Sequence, residues 1–211
     1  IANEHNELKT KFIRNISSQM EPTLNTLGTS AKELSAQAPR YAEQMQAQVA
    51  ALKQFSDNIQ ELSSLENSLT EPYEMGEVNA GTFCESVMEK AKEFMKPDVT
   101  PSVNAPKLQV KTNKEQLERI LLYLLKNAAF YTEQGRISLD FKKRGAHTHQ
   151  FIITDTGTGI PAEQQENLFK PFTQVKDLTT GDGLGLPICS LIATKMNGSL
   201  TLDTSYTKGC R

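Results

Sequence analysis

Three short polar or glycine-rich stretches are the parts of this sequence whose residue types could do chemistry. Asn127 follows an apolar run, residues 155–160 read DTGTGI, and residues 181–186 read GDGLGL. An amide oxygen is a hard ligand that suits Mg²⁺, and a carboxylate can accept a hydrogen bond from an exocyclic amine. Glycine-rich turns let backbone N–H groups approach phosphates closely. One glycine run alone is usually a turn, but the three stretches in this order predict an ATP site.

The elements that must position these stretches alternate between helix and strand from residue 70 onward. Residues 70–82 change in composition and predict a linker followed by a short strand. Helices are predicted over residues 83–95, 113–132, 161–169 and 184–196, with a loop over residues 170–183. Strands are predicted over residues 108–110, 136–142, 149–154 and 199–203. Strands that neighbour in sequence, with helices on one face, predict an α/β sandwich within an α+β chain.

The first 70 residues have a different character. Gly28 is their single glycine, and apolar residues recur there at spacings of three and four. The apolar positions form two seams: Ile13, Ile16, Met20, Leu24, Leu27, Ala31 and Leu34, then Met45, Val49, Leu52, Phe55, Ile59, Leu62, Leu65 and Leu69. Residues 35–40 interrupt the pattern, which predicts an antiparallel helical hairpin over residues 1–70 and a second domain over residues 71–211.

A lone hairpin leaves much of its apolar surface in water. A second copy of the chain would bury that surface in a four-helix bundle across a two-fold axis, so we expect a homodimer. The alternative is an intramolecular coiled coil that docks on the rest of the chain.

Composition narrows the classes of function. The net charge of −2 does not favour binding to nucleic acid, which needs a basic face. The sequence contains no run of about 18 apolar residues, so it predicts no membrane span. The three cysteines are far apart and predict reduced thiols in the cytosol, without a disulfide or metal site. We interpret the chain as the cytoplasmic portion of a longer protein, whose anchoring in an inner membrane would depend on segments outside this one.

Four ordered stretches carry a family resemblance. They are residues 124–132 (LLKNAAFYT), 155–160 (DTGTGI), 168–174 (LFKPFTQ) and 181–186 (GDGLGL). In order, they resemble the asparagine box, first glycine box, phenylalanine box and second glycine box of the histidine-kinase ATP-binding domain. That domain shares a superfamily with gyrase, mismatch-repair and heat-shock chaperone ATPases. The resemblance covers residues 74–211 and implies ATP and Mg²⁺ as cofactors.

The resemblance also implies roles for particular residues. Asn127 would supply an oxygen to Mg²⁺, and Asp155 would accept a hydrogen bond from the adenine amino group. Further nucleotide contacts are implied for Tyr131, Gly157, Gly159, Ile160, Phe169, Phe172, Gly181, Gly183, Leu184 and Gly185. Two of these, Phe169 and Phe172, would anchor a mobile lid. Without the resemblance, Asn127 would be interpreted as a helix C-cap and Asp155 as a turn residue at the end of a strand. Tyr131 would suit core packing as well as stacking on adenine.

Departures from the family pattern concern the chemistry itself. Tyr123 stands where the family commonly has a second asparagine, and Phe130 stands where it commonly has a basic residue. Upstream, residues 12–25 resemble the family's phosphoacceptor helix, but Ser18 and Gln19 replace the expected histidine and acidic residue. A serine hydroxyl is a poor nucleophile without an activating base, so the acceptor position is predicted to be degenerate.

Two functions follow from the resemblance. The first is the core of a two-component sensor histidine kinase, which uses ATP in a phosphorelay to the receiver domain of a response regulator. The second is a catalytically inactive dimeric signalling scaffold that binds ATP weakly or not at all. We expect a homodimer that retains some ATP binding and does not phosphorylate itself on histidine.

Overall fold

The computed structural model describes Ile13 and residues 20–33, 38–145, 148–171 and 183–211. Its contacts divide the chain into two units. The helical unit consists of residues 1–71 and 168–191, and the sandwich unit consists of residues 72–167 and 192–211. No helix in the described ranges combines the length and apolar character that crossing a bilayer requires.

The helical unit contains the predicted hairpin. Helix α1 is described over residues 20–33, and α2 spans Pro39–Asn67. The Asn25 side-chain oxygen accepts a hydrogen bond from Lys53 Nζ, while a Cβ added to Gly28 would lie 3.7 Å from Val49 Cγ1. A later residue of α1 therefore lies beside an earlier residue of α2, so the two helices are antiparallel.

Most of the predicted seam residues in this hairpin are buried or half-buried. Leu24, Ala31, Leu62 and Leu65 are each less than a tenth exposed. Leu27 is the exception among the described seam residues, because its side chain is 42% exposed. Ile16 and Leu34 lie outside the described residues.

The sandwich unit has two small sheets. Strand β1 (Gly76–Asn79) pairs antiparallel with β3 (Gln109–Thr112). In the second sheet, β2 (Val99–Asn104) pairs parallel with β4 (Gly135–Lys143), and β4 pairs antiparallel with β5 (His149–Asp155). The helices are α3 (Ala80–Ala91), a 3-10 turn (Lys92–Phe94), α4 (Lys114–Tyr131) and α5 (Ala162–Gln165). Helix α6 (Gly185–Lys195) begins in the helical unit and ends in the sandwich unit.

One face of the second sheet forms the core with α3 and α4. Alternate residues of β4 are buried there with the apolar stripes of both helices: Ile137, Leu139, Phe141, Phe83, Val87, Leu121 and Leu125. Strand side chains alternate between faces, so the residues between them in β4 lie on the opposite face of the sheet. The start of α4 is fixed by Asn113, whose side chain accepts a hydrogen bond from the Gln116 amide at 2.9 Å.

The structure corrects several element boundaries. Helix α3 begins at Ala80, three residues early, because the Asn79 side chain caps it by accepting a hydrogen bond from the Thr82 amide. The helix predicted over residues 161–169 contains only α5. Strand β2 was not predicted, since Pro101 interrupts it, but a proline is tolerated on an edge strand.

The strand predicted over residues 199–203 is wrong. Those residues are irregular, and Asp203 N donates to Arg211 O at 2.8 Å. A strand requires a ladder of backbone hydrogen bonds to a neighbour, and no such ladder forms along residues 199–203 in the described part of the chain.

Candidate functional site

The carboxyl end of α4 presents one group of the predicted residues. Asn127 and Tyr131 are four residues apart, so they share a face of the helix, while Ala128 and Ala129 are buried in the core. Asn127 is half-buried, and its side-chain amide has no hydrogen-bond partner among the described residues. Tyr131 is 54% exposed, with its ring centroid 4.9 Å from that of Phe130. The polar face of α4 therefore offers an uncommitted amide and an accessible aromatic ring.

Asp155 ends β5 and is the most constrained of the predicted residues. Its side chain is 6% exposed. One carboxylate oxygen, Oδ1, accepts hydrogen bonds from Gly157 N at 2.9 Å and from Cys210 N at 3.1 Å. The Asp155 amide in turn donates to Cys210 O at 2.9 Å. No described residue donates a hydrogen bond to Oδ2, so that oxygen is a fixed acceptor that remains available.

The electrostatics of Asp155 reflect its burial. Burial raises the pKa of this carboxyl above its ordinary value, and the hydrogen bonds from Gly157 and Cys210 oppose the rise. Burial, with a further contribution from the charge of Asp155, raises the pKa of the neighbouring Cys210 thiol to about 11. That thiol is therefore protonated at neutral pH.

The turn after Asp155 packs directly against the end of α4. A Cβ added to Gly157 would lie 2.3 Å from Tyr131 O, so only glycine fits there. Thr158 N donates to the same Tyr131 oxygen at 3.2 Å. Gly159 has a φ of +69°, and the following Ile160 accepts a hydrogen bond at its backbone oxygen from Gln165 Nε2 at 2.8 Å. The structure thus brings Tyr131, Asp155, Gly157 and Gly159 together.

Three residues of this site were missed from the sequence. Gly209 has a φ of +141°, and a Cβ there would lie 2.2 Å from Asp155 O. Cys210 supplies the backbone groups that bond to Asp155. Thr132 is fully buried, and its hydroxyl has no hydrogen-bond partner in the described ranges. Gly209 is separated from Asp155 by more than fifty residues, and nothing local in the sequence indicates that contact.

Other predicted site residues belong to the helical unit or lie outside the described residues. Phe169, Gly183, Leu184 and Gly185 fall within residues 168–191. The glycine box does precede a helix, as predicted, since Gly183 has a φ of +68° and α6 begins at Gly185. Leu184 O accepts from Ile188 N at 2.9 Å. Phe172, Gly181, Ser18 and Gln19 lie outside the described residues.

Among the described residues, no group of three or more His, Cys, Asp or Glu side chains could hold an ion. The half-buried Asn127 amide does fit Mg²⁺ of the kind that enters with a nucleotide, because Mg²⁺ keeps several waters and needs few protein ligands. All three cysteines are free.

Comparison with known proteins shows which family the second domain of the chain is similar to. Residues 112–211 match the family described as "Histidine kinase-, DNA gyrase B-, and HSP90-like ATPase". The relatives below are sensor histidine kinases, so the chain is similar to the catalytic core of those proteins, and the family match lies in its second domain. The predicted fold class, a helical region followed by an α/β ATPase domain, is confirmed.

Two relatives and one solved structure illustrate the similarity. The aerobic respiration control sensor protein ArcB of Escherichia coli strain K12 is 25% identical over 95% of this chain and 28% of its own length. The sensor histidine kinase RppB of Synechocystis sp. is 35% identical over 53% of this chain and 26% of its own length. The structure of full-length ShkA in complex with AMPPNP has a TM-score of 0.76 and 21% identity, and covers 95% of this chain and 43% of that one. The chain thus spans under a third of the length of these curated relatives.

The burial of Asp155 predicts the pH dependence of stability. The stabilising contribution of its protonated form is present below the ordinary pKa of 3.8 and is lost as pH rises through the raised folded-state value. In Asp155→Asn, the amide oxygen can still accept from Gly157 and Cys210 without carrying a charge. We expect this variant to be more stable than wild type at neutral pH, with the difference closing as pH falls, in urea unfolding without nucleotide.

Asp203→Asn is the matched control, with the opposite sign. Hydrogen bonds from Ser205, followed by the Arg211 charge, lower the pKa of Asp203, so its contribution is present above 3.8 and is lost as pH falls through the folded-state value. That variant should be less stable at neutral pH. A loss of stability at neutral pH in both variants would contradict the account of Asp155.

Proposed function

We propose that the chain binds ATP with Asp155 as the residue that recognises adenine. The observation that supports this is the geometry of its carboxylate. One oxygen is held by two backbone N–H groups, while the other has no donor among the described residues and can accept the adenine amino group. Because the carboxylate is buried and fixed in place, it reads a hydrogen-bond donor at little entropic cost.

The neighbouring groups fit the rest of the ligand. Tyr131 is exposed enough to stack on the base. The turn through Gly157, Gly159 and Ile160 would lie beneath the base, and neither glycine has room for a side chain. Asn127 would hold Mg²⁺ through its amide oxygen. A bound Mg²⁺ would neutralise charge on the β- and γ-phosphates.

The phosphates are assigned to the second glycine box. Backbone N–H groups at the start of a helix are unpaired and point along its positive dipole end, so they bind phosphate. Gly181, Gly183, Leu184 and Gly185 supply this segment, and α6 begins at Gly185. Phe169 and Phe172 would flank the lid between the two glycine boxes.

The N-terminal hairpin is proposed as the dimerisation domain, over residues 1–70, with the ATP-binding domain over residues 71–211. The described part of the hairpin leaves Leu27 42% exposed and Tyr41 69% exposed, and a second copy of the chain would cover apolar surface of this kind. The partner in signalling would be the receiver domain of a response regulator. The chain would act as the cytoplasmic portion of its protein.

Phosphoryl transfer is where two functions separate. A kinase core requires an acceptor, and the acceptor position of this chain is Ser18, followed by Gln19. A hydroxyl without an adjacent base accepts a phosphoryl group poorly, and Tyr123 and Phe130 remove polar groups from the face of α4. We therefore propose a sensor kinase core that is degenerate at the acceptor. The alternative is an inactive dimeric scaffold that binds ATP weakly or not at all.

A calorimetric titration of the full chain with ATP, in the presence of Mg²⁺, tests the nucleotide site. We expect wild type to bind ATP and Asp155→Asn to bind at least about tenfold more weakly, since an amide in place of the carboxylate removes a charge-assisted acceptor. Asp98→Asn removes the same charge from an exposed position in the same unit and should leave affinity unchanged. Equal affinity in wild type and Asp155→Asn would remove Asp155 from this role.

Incubation with γ-labelled ATP and Mg²⁺ tests the acceptor. We expect no acid-labile label on the protein, because no histidine stands at the acceptor position. Acid-labile label would show histidine phosphorylation and contradict the degenerate reading. Acid-stable label that disappears in Ser18→Ala would identify a serine acceptor, which would also contradict it.

A further inference from the structure

A pocket lies on the face of the β2-β4-β5 sheet that α3 and α4 do not cover. Its volume is about 550 Å³, within the range of small-molecule sites. We call it the hydroxyl pocket, and its lining residues are Thr100, Gly135, Arg136, Ser138, Thr154, Thr156 and Tyr206. All of them belong to the sandwich unit.

The strand register explains why hydroxyl groups gather around one arginine. Thr100 of β2 is the cross-strand partner of Arg136, and Thr154 of β5 is the partner of Ser138. Arg136 and Ser138 are two residues apart in β4 and share a face, opposite the buried Ile137. Five hydroxyl side chains and one guanidinium therefore line the same opening.

Most of the hydrogen-bonding capacity in this pocket is uncommitted. Thr156 Oγ1 accepts from the Arg136 amide at 3.0 Å, which leaves its own hydrogen free. Ser138 Oγ donates to Asp140 Oδ2 at 2.9 Å. The Arg136 side chain is exposed and forms no ion pair within the described ranges, whereas nearby Arg211 is paired with Asp203. No Asp or Glu is among the lining residues.

We propose that the hydroxyl pocket binds a phosphate-bearing small molecule. A guanidinium matches two phosphate oxygens with parallel N–H bonds, and the hydroxyls of Thr100, Thr154 and Thr156 can donate to the remaining oxygens. Unpaired positive charge, an excess of donors and the absence of a lining carboxylate all favour an oxyanion. The site is separate from the adenine site, because Thr154 and Thr156 flank Asp155 in the chain and lie on the opposite face of the sheet from it.

Inorganic phosphate is the probe for a test by NMR, with chloride at matched ionic strength as the reference. With the full chain, we expect the backbone amide resonances of residues 135–138 and 154–156 to shift and to reach saturation at millimolar phosphate. Arg136→Gln should weaken binding by at least about tenfold, since it removes the charge-assisted pair. Arg144→Gln removes an equal charge from an exposed arginine that directly follows β4 and donates to Gln150, and it should leave binding unchanged.

Two further variants complete the test. Asp155→Asn should retain the phosphate shifts, which separates this pocket from the nucleotide site, and Thr154→Val should weaken them. Binding that disappears in Asp155→Asn but survives in Arg136→Gln would overturn the proposal, as would shifts in wild type that never saturate. Equal weakening in Arg136→Gln and Arg144→Gln would show a general charge effect and would also overturn it.

Discussion

The position of one buried carboxylate determines the rest of this site. Asp155 Oδ1 is held by the amides of Gly157 and Cys210, which lie two residues and more than fifty residues away in the chain. Burial of a carboxylate is unfavourable unless hydrogen bonds compensate for the lost water, and two amides do so only for one oxygen. The other oxygen retains a requirement for a donor, and an amino group on a ligand would meet it.

Backbone geometry around Asp155 follows from that constraint. Gly157 and Gly209 each lie so close to neighbouring backbone that a Cβ would overlap it. A Cβ on Gly157 would be 2.3 Å from Tyr131 O, and one on Gly209 would be 2.2 Å from Asp155 O. The turn is thereby locked between α4 and the Gly209 segment. Tertiary contact fixes the carboxylate before any ligand arrives, which is the kind of preorganisation that favours binding.

Local sequence patterns predicted the elements whose signals are local. The cap at Asn113 and the apolar stripe of α4 gave that helix, and alternation gave β4 and β5. Residues 199–203 alternate equally well but form no strand, because strand formation depends on a partner that the segment itself does not specify. Thr132 and Cys210 were not predicted as site residues for the same reason, because their places in the site depend on contacts with residues distant in the sequence. The binding roles assigned to the glycine boxes remain predictions, and Ser18 lies outside the described residues.

Competition between ATP and inosine triphosphate tests the central claim most directly. The two ligands share their ribose and phosphates, but inosine carries a carbonyl oxygen where adenine carries the amino group. If Asp155 presents a fixed acceptor, wild type should prefer ATP by at least about tenfold, since a carbonyl facing a carboxylate gives two acceptors and no donor. The preference should be lost or reversed in Asp155→Asn, because its oxygen still accepts from Gly157 N and Cys210 N and its NH2 group, a donor, then faces the ligand. Equal affinity of wild type for both triphosphates would contradict the account.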